Sequence, residues 1–354
     1  MKRLSQVEKF RQARIGRRRW HRSLSRANKF RVRLQIREVR IAAPVIFSFT
    51  KNYIESVTFL RDLKVAALKK APPNIRHSVF IDLSEVKDVS PAAALVLAAE
   101  VDRWRQVKRT RLAPRNVSDW DPFVLQTLHS MGFFRLLGVE SGVAKSNTPQ
   151  AVEVTMLPIV SSTRLEGGLL QPMMDLLARA ANILGQDPLI YPALTEAAYN
   201  ATLHAYPDDQ PTEFPIPAKC WWATACWNIE GGVVKFIVYD QGVGIPATLP
   251  RSKHWEQVRA LFPQGLRVAT ADASRLIAAA IQFDRTSLEG GHGKGLQDVV
   301  TPVDKTVGAK VRLLSGTGKV TYHNGGGVKL EDETLHIGGT LVEWTIPVDS
   351  YLPE

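Results

Sequence analysis

Residues Thr195–Tyr206 read TEAAYNATLHAY, and Glu196, Asn200 and His204 recur in them at every fourth position. That spacing puts a carboxylate, an amide and an imidazole on one stripe of a helix surface. The remaining positions are mostly small or apolar, which makes a polar line of this kind unusual. The pattern predicts a helix from Pro192 to Ala205, preceded by another from Gly168 to Gly185. His204, at the helix end, also has a plain structural reading.

Downstream, Lys219 to Ile229 and Val233 to Tyr239 read as two strands joined by a turn at Gly231-Gly232. The second ends in Asp240-Gln241-Gly242-Val243-Gly244. A carboxylate at a strand end, followed by two glycines, allows a ligand close to the backbone. A third stretch, GGHGKGL at 290–296, precedes an apolar helix start at Val299. Alternating glycines at a helix mouth aim backbone N–H groups at an anion, and the helix dipole favours negative charge there. Each stretch alone is also what an ordinary turn looks like. No GxxxxGK[ST] occurs, which excludes a P-loop. Gly339–Pro347, GTLVEWTIP, reads as a closing strand.

Towards the N-terminus, residues 32–49 read as extended and Tyr53 to Lys70 as a helix ended by Pro72 and Pro73. Ser78 to Leu83 reads as a short buried strand. Pro91 opens a long apolar helix to about Val107, in the position proline favours. A strand is expected near Arg111 to Val117, then a helix from Pro122 to Met131, capped by Asp119 and stopped by Gly132. Strands alternating with helices predict an α/β layer structure.

Composition sets the outer limits. The chain has 354 residues, 45% hydrophobic, with two cysteines. That is too apolar for a disordered chain and too poor in cysteine for a disulfide scaffold. No run of eighteen apolar residues exists, so no single-helix membrane span is expected. Nor is a signal peptide, since no apolar run follows the first charges. Net charge is +12, but residues 1–40 alone hold 15 Lys/Arg against Glu8 and Glu38, leaving the rest near neutral. Arg17, Arg18, Arg19, Arg22 and Arg26 surround Trp20 and His21. Such a segment can bind a nucleic acid or other polyanion, sit on an anionic membrane surface, or stay solvated. Its Arg-rich, acid-poor composition also fits an organellar presequence, though no clear amphipathic stripe runs through it. Cys220 and Cys226 fall on one face of a strand and read as core thiols. No Cys/His spacing suggests zinc. The tryptophans at 221, 222 and 227 read as sheet packing against the N-terminal domain.

The ordered set ExxxNA, DxGxG, GxGxGL and a terminal strand resembles the GHKL ATP-binding fold, the Bergerat fold of histidine kinases, gyrase-type ATPases and Hsp90. TEAAYNATLHAY is closest to its anti-sigma-factor kinase branch. The resemblance covers about residues 165–350. It implies ATP and Mg²⁺ as ligands, with Asn200 holding the metal that grips the phosphates and Glu196 as general base. It implies Asp240 as acceptor for the exocyclic amino group of adenine, with Gly242 and Gly244 as the base's close wall. Gly291, His292, Gly293, Lys294, Gly295 and Leu296 would wrap the phosphates, and Thr340 would add a hydroxyl beside the base. Residues 246–289 would form a lid, with a helix of its own at Ala269 to Ile281. Lys253, Arg259 and Arg267 in it either meet phosphate or are simply solvated.

VFIDLSEVKDVSPAAALVLAA, residues 79–99, and FVLQTLHSMGFFRLLGV, residues 123–139, resemble the core and last helix of STAS domains, over roughly 36–140. In phospho-switched members an Asp-Ser pair opens the second helix. Here Ser90 and Pro91 stand in those places, and proline has no hydroxyl, so a binding or dimerisation module is favoured over a switch. The expected fold is therefore two-domain α/β. It comprises a basic tail (1–35), a STAS-like mixed sheet with helices (36–145), a linker (146–165) and a Bergerat α/β sandwich (166–354).

The function this implies is an ATP- and Mg²⁺-binding, cytoplasmic regulatory protein whose lid closure controls a protein partner or phosphoryl transfer, as an ATPase or serine kinase. A homodimer stays open. Two alternatives stand beside it: a nucleotide-gated scaffold without turnover, and a regulator docked on nucleic acid through residues 1–35. A full sensor kinase, a gyrase and an Hsp90 are disfavoured, for want of a membrane segment, a phosphoacceptor histidine or long further domains.

Overall fold

A computed structural model describes residues 15–16, 35–68, 75–108, 115–138, 154–181, 190–252, 255–261, 272–286 and 295–348. The chain divides into two compact units. One takes the described parts of 1–39 and 68–79, the other those of 40–67 and 80–348. Among the described residues, no helix is long and apolar enough to cross a membrane.

In chain order, β1 (Gln35–Ala42), β2 (Ile46–Phe47), α1 (Tyr53–Leu68), β3 (Ile75–Asp82) and β4 (Asp88–Val89) come first. Strands β1 and β3 pair with each other, and β2 pairs parallel to β4. Helix α2 (Pro91–Lys108) then follows. Ser90 caps it, its hydroxyl accepting from Ala93 N at 3.2 Å. From Ala92 to Val101 every α2 side chain is buried. Ala92 to Ala99 are apolar on all sides, as expected of a buried helix, and Glu100 is the one charge in the run. Helices α3 (Pro122–Ser130) and α4 (Phe133–Leu136) close this part.

Two expectations fail here. Residues 115–117 form no strand; Val117 opens a 3-10 turn, Val117–Asp119, and residues 111–114 lie outside the described residues. The cap of α3 is Asp121 rather than Asp119. Asp121 stands directly before Pro122, and its carboxylate accepts from Phe123 N at 3.0 Å.

The second part is built on an antiparallel sheet. Its strands are β5 (Val154–Met156), β6 (Val160–Ser162), β7 (Trp221–Asn228), β8 (Val233–Asp240), β9 (Lys310–Ser315), β10 (Gly318–His323), β11 (Val328–Asp332) and β12 (Thr340–Pro347). Their order is β11-β10-β9-β12-β8-β7-β5, with β6 also on β7. Strands β5 and β6 lie inside the stretch expected to be a linker. They form because β7 offers an edge to pair with, Thr155 opposite Trp227 and Ser161 opposite Trp222.

The helices of this part are α5 (Gln171–Ala181), α6 (Ile190–Leu203), α7 (Ile245–Thr248), α8 (Trp255–Ala260), α9 (Ala273–Thr286) and α10 (Gly295–Lys305). Helix α6 begins two residues before the expected Pro192, and α10 four before Val299. Helices α5, α6, α9 and α10 share one core with a single face of the sheet, through Trp221, Phe236, Val311, Val320 and Trp344. Trp344 is fully buried and donates its indole N–H to Val299 O of α10 at 2.7 Å.

The opposite face meets the N-terminal part of the same unit. Helix α2 contacts β7 and β8, with Asp102 beside Trp222. Thr50 Oγ1 accepts from Arg312 of β9 at 2.5 Å, and Tyr53 of α1 donates to Leu335 O at 2.9 Å. Trp221 and Trp222 thus face opposite ways, and only Trp222 turns towards the N-terminal part.

Candidate functional site

A cleft of about 770 Å³ opens between the helices and the end of the sheet where β8 finishes and β12 starts. Glu196 and Asn200 of α6, Asp240 and Gly244 after β8, Gly295 and Leu296 of α10, and Thr340 of β12 all line it. These residues span 145 positions of sequence, and the fold brings them to one cavity. Val238, Ile245, Leu249, Val299 and Val342 give it apolar walls. Such a volume, mostly apolar with a few convergent polar groups, suits a small organic ligand.

Helix α6 reaches the cleft through its pattern of small residues. Ala193, Ala197, Ala198 and Ala201 are buried with Ile190 and Leu194, which lets the helix sit close to α10 and the sheet. The stripe of Glu196 and Asn200 is half-buried, and His204, just past the helix end, is an exposed member of the lining.

Asp240 is the buried charge of the site, 6% exposed. Its Oδ1 accepts from Gly242 N at 2.8 Å and Thr340 N at 3.3 Å; neither bond uses Oδ2. Burial pushes its pKa up from the ordinary 3.8 to about 7, while the two backbone N–H groups work in the opposite direction. The carboxyl can therefore exchange a proton near neutral pH.

Two glycines make this arrangement possible. A Cβ on Gly242 would lie 2.1 Å from Ala205 O, and one on Gly339, where φ is +93°, would lie 1.9 Å from Asp240 O. The first lets the end of α6 touch the turn after β8, where Val243 N donates to Ala205 O at 2.9 Å. The second presses the start of β12 onto Asp240. Gly242 is not part of the cleft lining; its missing side chain makes room for Ala205. Gly244 does line the cleft.

The hydroxyl of Thr340 lies 2.9 Å from Ser315 Oγ, which accepts from Ile245 N at 2.8 Å. Ser315 thereby ties β9, β12 and α7 together at the cleft. Arg251, paired with Asp209, is the single Lys or Arg in the described lining. The sequence carried no particular signal for either residue. Ser315 sits in an ordinary strand end, and Arg251 lies between Pro250 and Ser252 in a segment without periodicity.

Of the expected phosphate-loop residues, Gly291, His292, Gly293 and Lys294 lie outside the described residues, as do Lys253 and Arg267. Arg259 is exposed and paired with Glu256 at 3.4 Å. Cys220 and Cys226 are buried free thiols, and burial pushes their pKa values to about 11 and about 12. No group of three or more His, Cys, Asp or Glu side chains placed to hold a metal ion occurs among the described residues. No protein-family model matches the chain, and no curated protein matches it.

Proposed function

We propose that the chain binds ATP with Mg²⁺ in this cleft, as a regulatory protein of the GHKL type. The observation that carries the reading is the convergence of Glu196, Asn200, Asp240, Gly244, Gly295, Leu296 and Thr340 on one cavity. The antiparallel sheet, with α5, α6, α9 and α10 on one face, supports it as well. So do the apolar walls, which suit a planar base. An ionised Asp240 with Oδ2 outside its backbone bonds is an acceptor for an exocyclic amino group. Thr340 adds a hydroxyl beside it.

Asn200 supplies the amide oxygen for Mg²⁺, an ion that takes few protein ligands and keeps water and phosphate oxygens in its shell. The donor set fits: one amide and, one helical turn earlier, one carboxylate. When bound, the ion neutralises phosphate charge. Glu196 accepts the proton of an attacking water or protein hydroxyl. The N-terminal part reads as a STAS-like module without the switch hydroxyl, because Ser90 is engaged as the helix cap and Pro91 follows it.

The test is equilibrium ATP binding by the whole chain, with and without Mg²⁺, beside Asn200→Ala. The expected result is Mg²⁺-dependent binding near micromolar, about −8 kcal/mol, lost in the variant. No binding at millimolar ATP would overturn the reading. Phosphate release compared between the wild type and Glu196→Ala then separates turnover from binding alone.

A further inference from the structure

The two backbone segments that hold Asp240 are both fastened from behind by the N-terminal part of the chain. Gln241, the next residue, donates through Nε2 to Glu100 Oε1 of α2 at 3.3 Å. Glu100 is fully buried and pairs with Lys64 of α1 at 3.1 Å and with Arg103. Lys64, 5% exposed, donates to Ile337 O at 2.9 Å, immediately before the Gly338-Gly339 step into Thr340. Tyr239 donates to Gly338 O at 2.6 Å, and Gln241 N donates to Tyr206 Oη at 2.9 Å. Phe214 lies over the two cations, its ring centre 5.6 Å from Lys64 Nζ and 5.8 Å from the Arg103 guanidinium.

A buried ion pair rarely adds net stability, since desolvation offsets the attraction, and its better-attested use is to fix one arrangement among several. This one contacts residues 241 and 337, on either side of the Asp240 clamp. Lys64 and Glu100 do not line the cleft, so they can act on it only through the backbone they hold.

We propose that Lys64, Glu100 and Gln241 are positioning residues for the cleft: they set where Asp240 and Thr340 stand, and so make base recognition depend on the N-terminal helices. This rests on the nucleotide reading above. An ionised Asp240 held in place accepts from the amino group of adenine and opposes the carbonyl that guanine carries there. Once the clamp shifts, that discrimination falls, while contacts to the phosphates are untouched.

The experiment is calorimetric titration of the full chain with ATP and with GTP, both with Mg²⁺, for the wild type, Gln241→Leu, Lys64→Met and Lys64→Arg. Gln241→Leu and Lys64→Met are expected to weaken ATP about tenfold and to change GTP by less than about twofold, the size of one lost buried hydrogen bond. Lys64→Arg, which keeps the charge and a donor, is expected to restore most of the preference. Amide exchange at Thr340 is expected to quicken in the first two variants without any ligand. If Lys64→Met does not fold, Gln241→Leu carries the test, because it leaves the Lys64–Glu100 pair in place. A folded Gln241→Leu variant with the wild-type ATP-to-GTP ratio overturns the positioning role alone. A wild type that binds neither nucleotide overturns the nucleotide reading, and this proposal with it.

Discussion

The two faces of the eight-stranded sheet are made of alternate residues of the same strands, yet they are buried in different ways. Towards α5, α6, α9 and α10 the strands present Val234, Phe236, Val238, Val342, Trp344 and Ile346. Towards the N-terminal part they present Lys235, Arg312 and Glu343 among Ile237, Tyr239 and Leu341. Neighbours in sequence thus obey different rules: Trp344 is buried by apolar packing, and Glu343, 5% exposed, by partners of opposite charge. One face is filled by the hydrophobic effect, which is strong and indifferent to direction. The other depends on exact pairing, and a half-satisfied pair there costs more than an empty one.

The largest effect belongs to the apolar face. Trp344→Ala should cost about 3–5 kcal/mol in urea unfolding, from lost burial and the cavity left behind, besides stranding Val299 O without its indole donor. A loss under about 1 kcal/mol would mean that α10 does not depend on this core. The cleft end of the same face comes next. Asp240 has a folded pKa of about 7 against an ordinary 3.8, so between those values the folded state binds more protons than the unfolded one. Its contribution is therefore fully present below about pH 4 and is lost as pH rises towards 7. The ceiling on that loss is about 4 kcal/mol. Asp240→Asn should flatten the slope of stability over this window. A slope identical to the wild type's would show that the buried carboxyl is ionised throughout. If the cleft takes ATP as proposed, affinity should also fall below pH 7, as the acceptor becomes protonated.

How much of this could be read from the sequence follows the same division. Helices α1, α2, α5 and α6 and the β7–β8 hairpin were legible, because apolar periodicity and proline at helix starts report the non-directional part of folding. The cleft residues Glu196, Asn200, Asp240 and Thr340 were legible from their own patterns as separate stretches, and the family resemblance alone joined them in one site. That they line one cavity depends on Gly242 and Gly339, whose close backbone approaches no periodicity records. Strands β5 and β6 were not legible, since three residues each are too few for an alternation to register. Strand β11 shows little burial, from Val328 to Asp332, and so has no apolar face to detect. The Lys64–Glu100–Gln241 connection was not legible either. Its members lie far apart in sequence, and a charged residue on a helix is ordinarily a solvated one.

The smallest of these effects is the one that most sharpens the comparison, because it concerns the residue next to Trp344. Glu343 pairs with Arg312 at 3.1 Å and Lys235 at 3.2 Å, and Arg312 also donates to Thr50 Oγ1. Glu343→Ala leaves two cations, on β8 and β9, facing each other across β12, the strand between them. Removing one partner of a buried pair costs about 3–5 kcal/mol. Here about 2 kcal/mol is expected, since the Lys235 side chain is about one-third exposed and can turn to water. The decisive variant is the double replacement Arg312→Met with Glu343→Leu, measured by urea unfolding beside the single change. If this face needs pairing rather than charge, the double variant should recover most of the loss, with only Thr50 and Lys235 giving up a partner. If instead it is as unstable as Glu343→Ala, the charges contribute beyond satisfying each other. The two faces would then differ in net energy as well as in how they are filled.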